Sequence, residues 1–291
     1  MILLPIGRDE AEIRRHAWVS YGIIAANILL FILCSLAEQS YVGAVDARFE
    51  EAVKYWAEHP YLTLPPKLAT LVPDAIEARV KARIGRIPDD TTAHNQQLEL
   101  EALSDKALEK WHEMPSVRFG YIPAEGGVLT IFTSMFLHAG FMHIFGNLLF
   151  FFLSGPFIED VFGRPLFALL YFAGGAVATL TYAKLNAGST IPLVGASGAI
   201  AAVMGAYLVR FATSRVEFIL IPFLFRPTFH FRFFLPAFVV LPLWFVEQLW
   251  DMNAEGASGA GVAFSAHVGG FLFGMLTAHL FANRRPLAPS W

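Results

Sequence analysis

The stretch Pro192–Gly205, PLVGASGAIAAVMG, poses the question on which the fold turns. It reads as the opening of a buried helix, apolar and rich in small residues, yet Ser197 sits near its start between Gly195 and Gly198. A hydroxyl there is either a helix-packing residue or a nucleophile. Taken alone, a serine in an apolar helix is more often the former. The tetrapeptide Gly-Ala-Ser-Gly is a weak signal, and it is not the Gly-x-Ser-x-Gly elbow, which requires a strand before it. The rest of the chain has to decide.

Of the 291 residues, 56% are hydrophobic and 15% charged, with a mean hydropathy of +0.52. Soluble domains are nearer about 45–50% apolar and about a quarter charged. Several apolar runs approach the roughly 20 residues that a helix needs to cross a bilayer core. The chain therefore reads as an all-α, polytopic membrane protein with spans at about 17–37, 143–159, 165–183, 193–211, 233–250 and 262–282. A net charge of −3 gives no reason to expect a nucleic-acid partner. Cys34 is the one cysteine, so neither an intrachain disulfide nor a cysteine-based zinc site is expected. Residues 1–18, MILLPIGRDEAEIRRHAW, mix acids with arginines and lack a signal-peptide pattern, so the first span is expected to remain as an anchor.

Three parts are expected: 1–39, a tail and the first span; 40–117, an extramembrane insertion; and 118–291, the other five spans and a C-terminal tail. Within the insertion, DAIEARVKARIG (74–85) and LELEALSDKALEKWHEM (98–114) show helical spacing on either side of the polar IPDDTTAHNQQ (87–97). Its histidines, His59, His94 and His112, show no ligand spacing. Orientation follows from Lys and Arg in the short flanks. Arg8, Arg14 and Arg15 precede the first span, Arg210, Arg215, Arg226 and Arg232 flank the fourth-to-fifth connection, and Arg284 and Arg285 follow the sixth. The opposite short loops hold only Lys184. Both termini are then expected in the cytoplasm, with spans two, four and six running inward.

Ionisable and strongly polar groups inside spans are costly and point to function. His143 and Asn147 open the second span, Ser197 the fourth and His267 the sixth. Five residues of helix is about 8 Å of depth, so the four are expected to share one level in the outer leaflet. A serine becomes a nucleophile when a base takes its proton, and histidine suits that work. Gly270 and Gly274 follow His267 on one face, and Gly198, Ala202 and Gly205 offer a matching small face on the fourth span. Such faces let helices approach closely, which would bring Ser197 to His267. His143 and Asn147, spaced i, i+4, lie on one face, and both can donate to an oxyanion. His138 is open between a structural hydrogen bond and a site role. No third member of a triad is evident. Glu247 and Asp251 are the acids in reach, and packing is the expected means of orienting His267. No His-Glu-x-x-His motif occurs, and neither metal nor cofactor is expected.

At these residues the chain resembles the rhomboid family of intramembrane serine proteases. FLHAGFMHIFGNLLFFF (136–152), GASGAIAAVMGAYL (195–208) and AHVGGFLFG (266–274) carry the resemblance, joined by RFGYIPAE (118–125), GPFIEDVFG (155–163) and LPAFVVLPLWFVEQLW (235–250). It covers about 17–37 and 118–283. It implies a six-helix core of bacterial type and a Ser197–His267 dyad. It also implies an oxyanion hole from His143, Asn147 and the Ser197 backbone N–H, with Gly195 and His138 as possible accessories. Substrates would be membrane-anchored proteins cut in or near their transmembrane segment, within the lipid of a bacterial inner membrane. Glu159, which closes the second span, would be structural. Two departures stand out. Leu129 and Thr130 occupy positions where many members have Trp-Arg, and Ala201 stands where some members place an aromatic ring against the histidine. A non-catalytic relative that binds transmembrane segments is the alternative, although such relatives typically lack the serine or the histidine. A transporter would call for paired midplane charges or broken helices.

Overall fold

The computed structural model describes residues 2–9, 13–85, 87–221, 230–255 and 263–281, and helices dominate them. α1 (Trp18–Glu58) carries the first apolar run and continues unbroken for 41 residues. At 1.5 Å per residue that is about 60 Å, roughly twice the thickness of a hydrocarbon core. The first part of the expected insertion is therefore an extension of the same helix. α2 (Pro66–Ala69), α3 (Asp74–Lys81), α4 (Asp90–Glu113) and α5 (Pro115–Arg118) complete it. α6 (Val128–Thr133) and a 3-10 turn, Ser134–Phe136, lead into α7 (Phe141–Phe162), α8 (Arg164–Leu185), α9 (Ser197–Arg210), α10 (Ala237–Glu255) and α11 (Phe264–Leu280).

Among the described residues α1, α7 and α8 are long and apolar enough to cross a membrane, while α9 and α11 are shorter apolar helices. The outward faces are apolar too. Leu29, Leu33 and Leu36 on α1, Phe152 on α7, Leu169 on α8, Leu243 on α10 and Leu276 on α11 are all exposed. Lipid tails, unlike water, accept such faces without cost.

Three strands depart from the all-α expectation. β1 (Ile2–Asp9), β2 (Arg215–Ile221) and β3 (Phe231–Pro236) form an antiparallel sheet in that order. In β3, Phe233 and Leu235 turn inward while Arg232 and Phe234 stay exposed, the period-2 pattern of a half-buried strand. Phe233 stacks on Phe218 of β2 at 5.6 Å between ring centroids. The register shifts between Pro5 and Gly7, next to a residue that has no N–H for the ladder. The fifth helix consequently begins at Ala237, not within the strand at 233. Because the sheet joins the segment before α1 to the α9–α10 connection, Arg14, Arg15, Arg210, Arg215 and Arg232 gather at one end of the helices. Arg226, Arg284 and Arg285 lie outside the described residues.

At that same end Glu159 of α7 is buried and accepts hydrogen bonds from Val19 N at 3.0 Å, Ser20 N at 2.7 Å and Ser20 Oγ at 2.8 Å. A carboxylate on the free N–H groups of a helix start both satisfies them and complements the dipole. Gly163 alone joins α7 to α8, with φ +76°, a left-handed conformation that a Cβ would strain. At the centre is α9, whose residues Gly198 to Tyr207 are all buried, packed between α7, α8 and α11.

The insertion has its own small core of Ala52, Trp56, Leu62, Leu64, Leu68, Val72, Val80, Leu100 and Leu103. Trp56 is fully buried and its indole N–H donates to Leu62 O at 3.1 Å. The segment leaves and returns at one place: the Glu38 carboxylate accepts from the Ser116 hydroxyl and from Ser116 N at 3.2 Å.

Candidate active site

The site is built around the first residue of α9. The fourth span was expected from 193, but residues 193–196 are not helical and Ser197 opens the helix. Two local features explain the late start. Leu193 exchanges both backbone hydrogen bonds with Tyr121, at 2.8 and 3.0 Å, which holds it extended. Gly195 then adopts φ +133° while its N–H donates to Ser134 O at 2.9 Å. The helix that follows has 14 residues, about 21 Å of rise, too short to cross a bilayer alone. Its start lies inside the bundle, with Ala196 and Gly198 buried on either side of the serine. The first N–H groups of a helix lack intrahelical partners, and here they surround Ser197.

The small-residue faces meet as expected. A Cβ at Gly270 would collide with Gly198 O, one at Gly274 with Ala202 O, and one at Gly205 with Phe271 O. Backbones in contact along α9 and α11 leave no room for anything larger. The close approach delivers His267, in the first turn of α11, to Ser197: His267 Nε2 lies 2.8 Å from Ser197 Oγ.

The ring is held on its other side by residues that the sequence reading did not single out. His267 Nδ1 lies 2.6 Å from Gln248 Oε1, and Gln248 is buried in α10. Trp244, one turn earlier on the same face of α10, packs on the imidazole with centroids 6.0 Å apart, and Phe264 meets it edge-on at 6.3 Å. Trp244 thus supplies the packing that Ala201 cannot. Of the two acids considered for orienting His267, Glu247 is exposed, and the polar partner of Nδ1 is the Gln248 amide rather than Asp251. The missed signal was an uncharged amide four residues after a tryptophan in an apolar run.

α7 contributes the third wall. Asn147 is buried and its Nδ2 has no hydrogen-bond partner among the described residues, while His143 lies one turn before it. A Cβ at Gly195 would stand 2.9 Å from His143 Cε1 and Nε2 and 3.6 Å from Ser197 Oγ, so this glycine keeps the space between them open. His143, Asn147, Ser197, His267, Gly195 and Trp244 all line one cavity of about 920 Å³. His138 is not part of its wall and packs edge-on behind His143, with ring centroids 5.1 Å apart. An alcohol, an imidazole in hydrogen-bond contact with it and a buried amide donor without a partner are the parts that acyl transfer requires.

The loop between α8 and α9 forms the rim of this cavity, and the insertion touches it. Thr70 Oγ1, at the end of α2, lies 2.9 Å from Thr190 Oγ1. His59, His94 and His112 of the insertion are not in the cavity wall.

Comparison with known proteins places the chain in a family. The family profile described as Rhomboid domain matches residues 125–284. The chain is 31% identical over 144 residues to "Rhomboid-related protein 2" of Mus musculus, covering 48% of this chain and 44% of that protein. It is 38% identical over 90 residues to "Putative rhomboid protease YdcA" of Bacillus subtilis (strain 168), covering 29% and 42% respectively. It is 26% identical over 167 residues to "Presenilin-associated rhomboid-like protein, mitochondrial" of Bos taurus, covering 54% and 41%. The chain thus spans less than half the length of each of these relatives. The profile, which takes in every one of the six cavity residues named above and covers more than half of the sequence, makes the chain a membrane protein of the rhomboid family.

Proposed function

We propose that this protein is an intramembrane serine protease that cuts membrane-anchored proteins in or near their transmembrane segments. The observation that carries the reading is the 2.8 Å approach of His267 Nε2 to Ser197 Oγ in a cavity that also presents the unpaired Asn147 amide. Ser197 Oγ attacks the scissile carbonyl carbon while His267 Nε2 takes the hydroxyl proton. The oxyanion receives hydrogen bonds from Asn147 Nδ2, His143 and the Ser197 backbone N–H. Collapse of this intermediate breaks the C–N bond, and His267 passes its proton to the leaving amine. Water, activated by the same imidazole, then hydrolyses the acyl-serine and restores the site.

The six apolar helices α1, α7, α8, α9, α10 and α11 are the spans in this reading. The protein is multi-pass in a bacterial inner membrane, with both termini cytoplasmic and the cavity toward the outside. The arginines at the sheet end support that orientation.

The test is fluorophosphonate labelling and cleavage of a transmembrane reporter by purified protein. Ser197→Ala is expected to abolish both, His267→Ala to abolish cleavage, and a chelator to change neither. Cleavage above about a few per cent of the parent in either folded variant would overturn the serine mechanism, whereas a parent protein that neither labels nor cleaves would return it to the non-catalytic alternative, a binder of transmembrane segments.

A further inference from the structure

We propose that Gln248 is a positioning residue that completes the Ser197–His267 pair, a step that rests on the protease reading above. Serine can hand its proton to Nε2 only if Nε2 carries a lone pair, and in a neutral imidazole this puts the hydrogen on Nδ1. That N–H needs an acceptor inside the protein. Gln248 Oε1, 2.6 Å away, is the atom that receives it. Turned the other way, the amide would present N–H groups to Nδ1 and drive the ring hydrogen onto Nε2, where it would point at Ser197 and disable the base. The orientation of one side-chain amide therefore decides whether His267 works.

The amide is well placed for this. Gln248 is 5% exposed, and the residue one turn before it, Trp244, packs both on the His267 ring and on Phe271 at 5.7 Å. The hydrogen bond also ties α10 to α11, so the imidazole is fixed by two helices while the nucleophile sits on a third, α9. When His267 takes up the serine proton, Nδ1–H goes on donating to the same oxygen. The third member of this constellation is thus a neutral dipole, where serine proteases built as triads place a carboxylate. His143 on α7, Tyr182 on α8 and Ser197 on α9 share the cavity wall with His267, together with the hydroxyls of Ser134, Thr179 and Ser265.

Gln248→Met removes the acceptor at similar volume, and Gln248→Glu keeps a carboxyl oxygen at the same reach. Both are compared with the parent protein for the rate and final extent of fluorophosphonate labelling, and for kcat and KM on a transmembrane reporter. Extent counts folded, competent sites, and rate reports their reactivity. Gln248→Met is expected to label to full extent about 10- to 100-fold more slowly, with kcat reduced to match and KM nearly unchanged. Gln248→Glu is expected to restore most of that rate. Gln248→Leu is run alongside, so that a folded variant without an acceptor is available if the methionine one is not. Parental rates in the variants lacking an acceptor, or a loss that glutamate does not repair at full labelling extent, would overturn the proposal. Ser197→Ala separates the two readings. If it still cleaves, the dyad itself is wrong and the role of Gln248 falls with it. If it is inactive while Gln248→Met matches the parent, the dyad stands and Gln248 positions nothing.

Discussion

Asn147 holds a buried amide whose N–H groups find no partner among the described residues. An unsatisfied buried donor costs about 1–3 kcal/mol, and a fold keeps one where a ligand or a developing charge will meet it. In the protease reading that charge is the oxyanion, so the donor acts in the transition state more than in the substrate complex. Asn147→Ala is then expected to lower kcat about 10- to 10³-fold with little change in KM and no loss of stability. Steady-state kinetics on the reporter, with a thermal melt of each protein, check this, and parental turnover would remove Asn147 from the oxyanion site. His143→Ala is expected to behave similarly. At this scale the sequence was informative where a polar residue interrupts an apolar run: Ser197, His143, Asn147 and His267 were all readable that way, and the structure brings them to one cavity. Gln248 was not found. An amide flanked by Glu247 and Leu249 announces neither charge nor a motif, whereas the acids beside it do carry charge.

The elements place these residues through helix contacts that tolerate no added atom. Gly274 is the tightest case, since a Cβ there would run into the carbonyl oxygen of Ala202 on α9. Gly274→Ala must push α11 away from α9 and so separate His267 Nε2 from Ser197 Oγ. Misplacement of about 1 Å can cost about 10²-fold in rate. The fluorophosphonate labelling rate of Gly274→Ala is expected to fall by about that factor, with a lower melting temperature. Gly22→Ala on α1, where nothing lies within 4 Å of the added carbon, is expected to label like the parent. Equal rates in both variants would mean that the crossing does not set the dyad distance. The small faces of α9 and α11 were legible because glycines and alanines recur at helical spacing. The late start of α9 was not, because Pro192–Ala196 is as apolar as the helix it precedes and its extended path depends on Tyr121 and Ser134, far away in sequence. The sheet escaped for a similar reason. β1 pairs with a strand some 210 residues later; FILI (218–221) fell in the connection between two expected spans, and FFLP (233–236) read as the start of the fifth because its strand partner is not evident from sequence.

For the molecule as a whole, the arginine-rich sheet end and the cavity end lie at opposite ends of the helices, which makes orientation testable. A single cysteine at Asn253 in a Cys34→Ser background is expected to react with an impermeant thiol reagent from outside intact cells, and one at Ser214 is not. The reverse pattern would turn the cavity toward the cytoplasm. The insertion then stands on the outer side, and its place in the fold predicts what its loss will do. Its apolar core runs from Ala52 to Leu103 and draws on no residue of the rhomboid domain, so removing it is expected to uncover little of the helices around the cavity. Just outside the ends to be rejoined, Glu38 and Ser116 are already hydrogen-bonded, so a short linker has little distance to span. What does change is the rim of the cavity, because Thr70 contacts Thr190 in the loop that descends to Gly195 and Ser197. Loops at the mouth of a site select what enters more often than they perform chemistry. Replacing residues 45–112 with a short Gly/Ser linker is therefore expected to preserve fluorophosphonate labelling of Ser197 while altering which transmembrane reporters are cut, or how fast. A panel of reporters differing in their extramembrane flanks distinguishes the cases. A folded deletion variant that no longer labels would place the insertion among the parts that build the site, and one with an unchanged reporter profile would leave the Thr70–Thr190 contact without a role in selection.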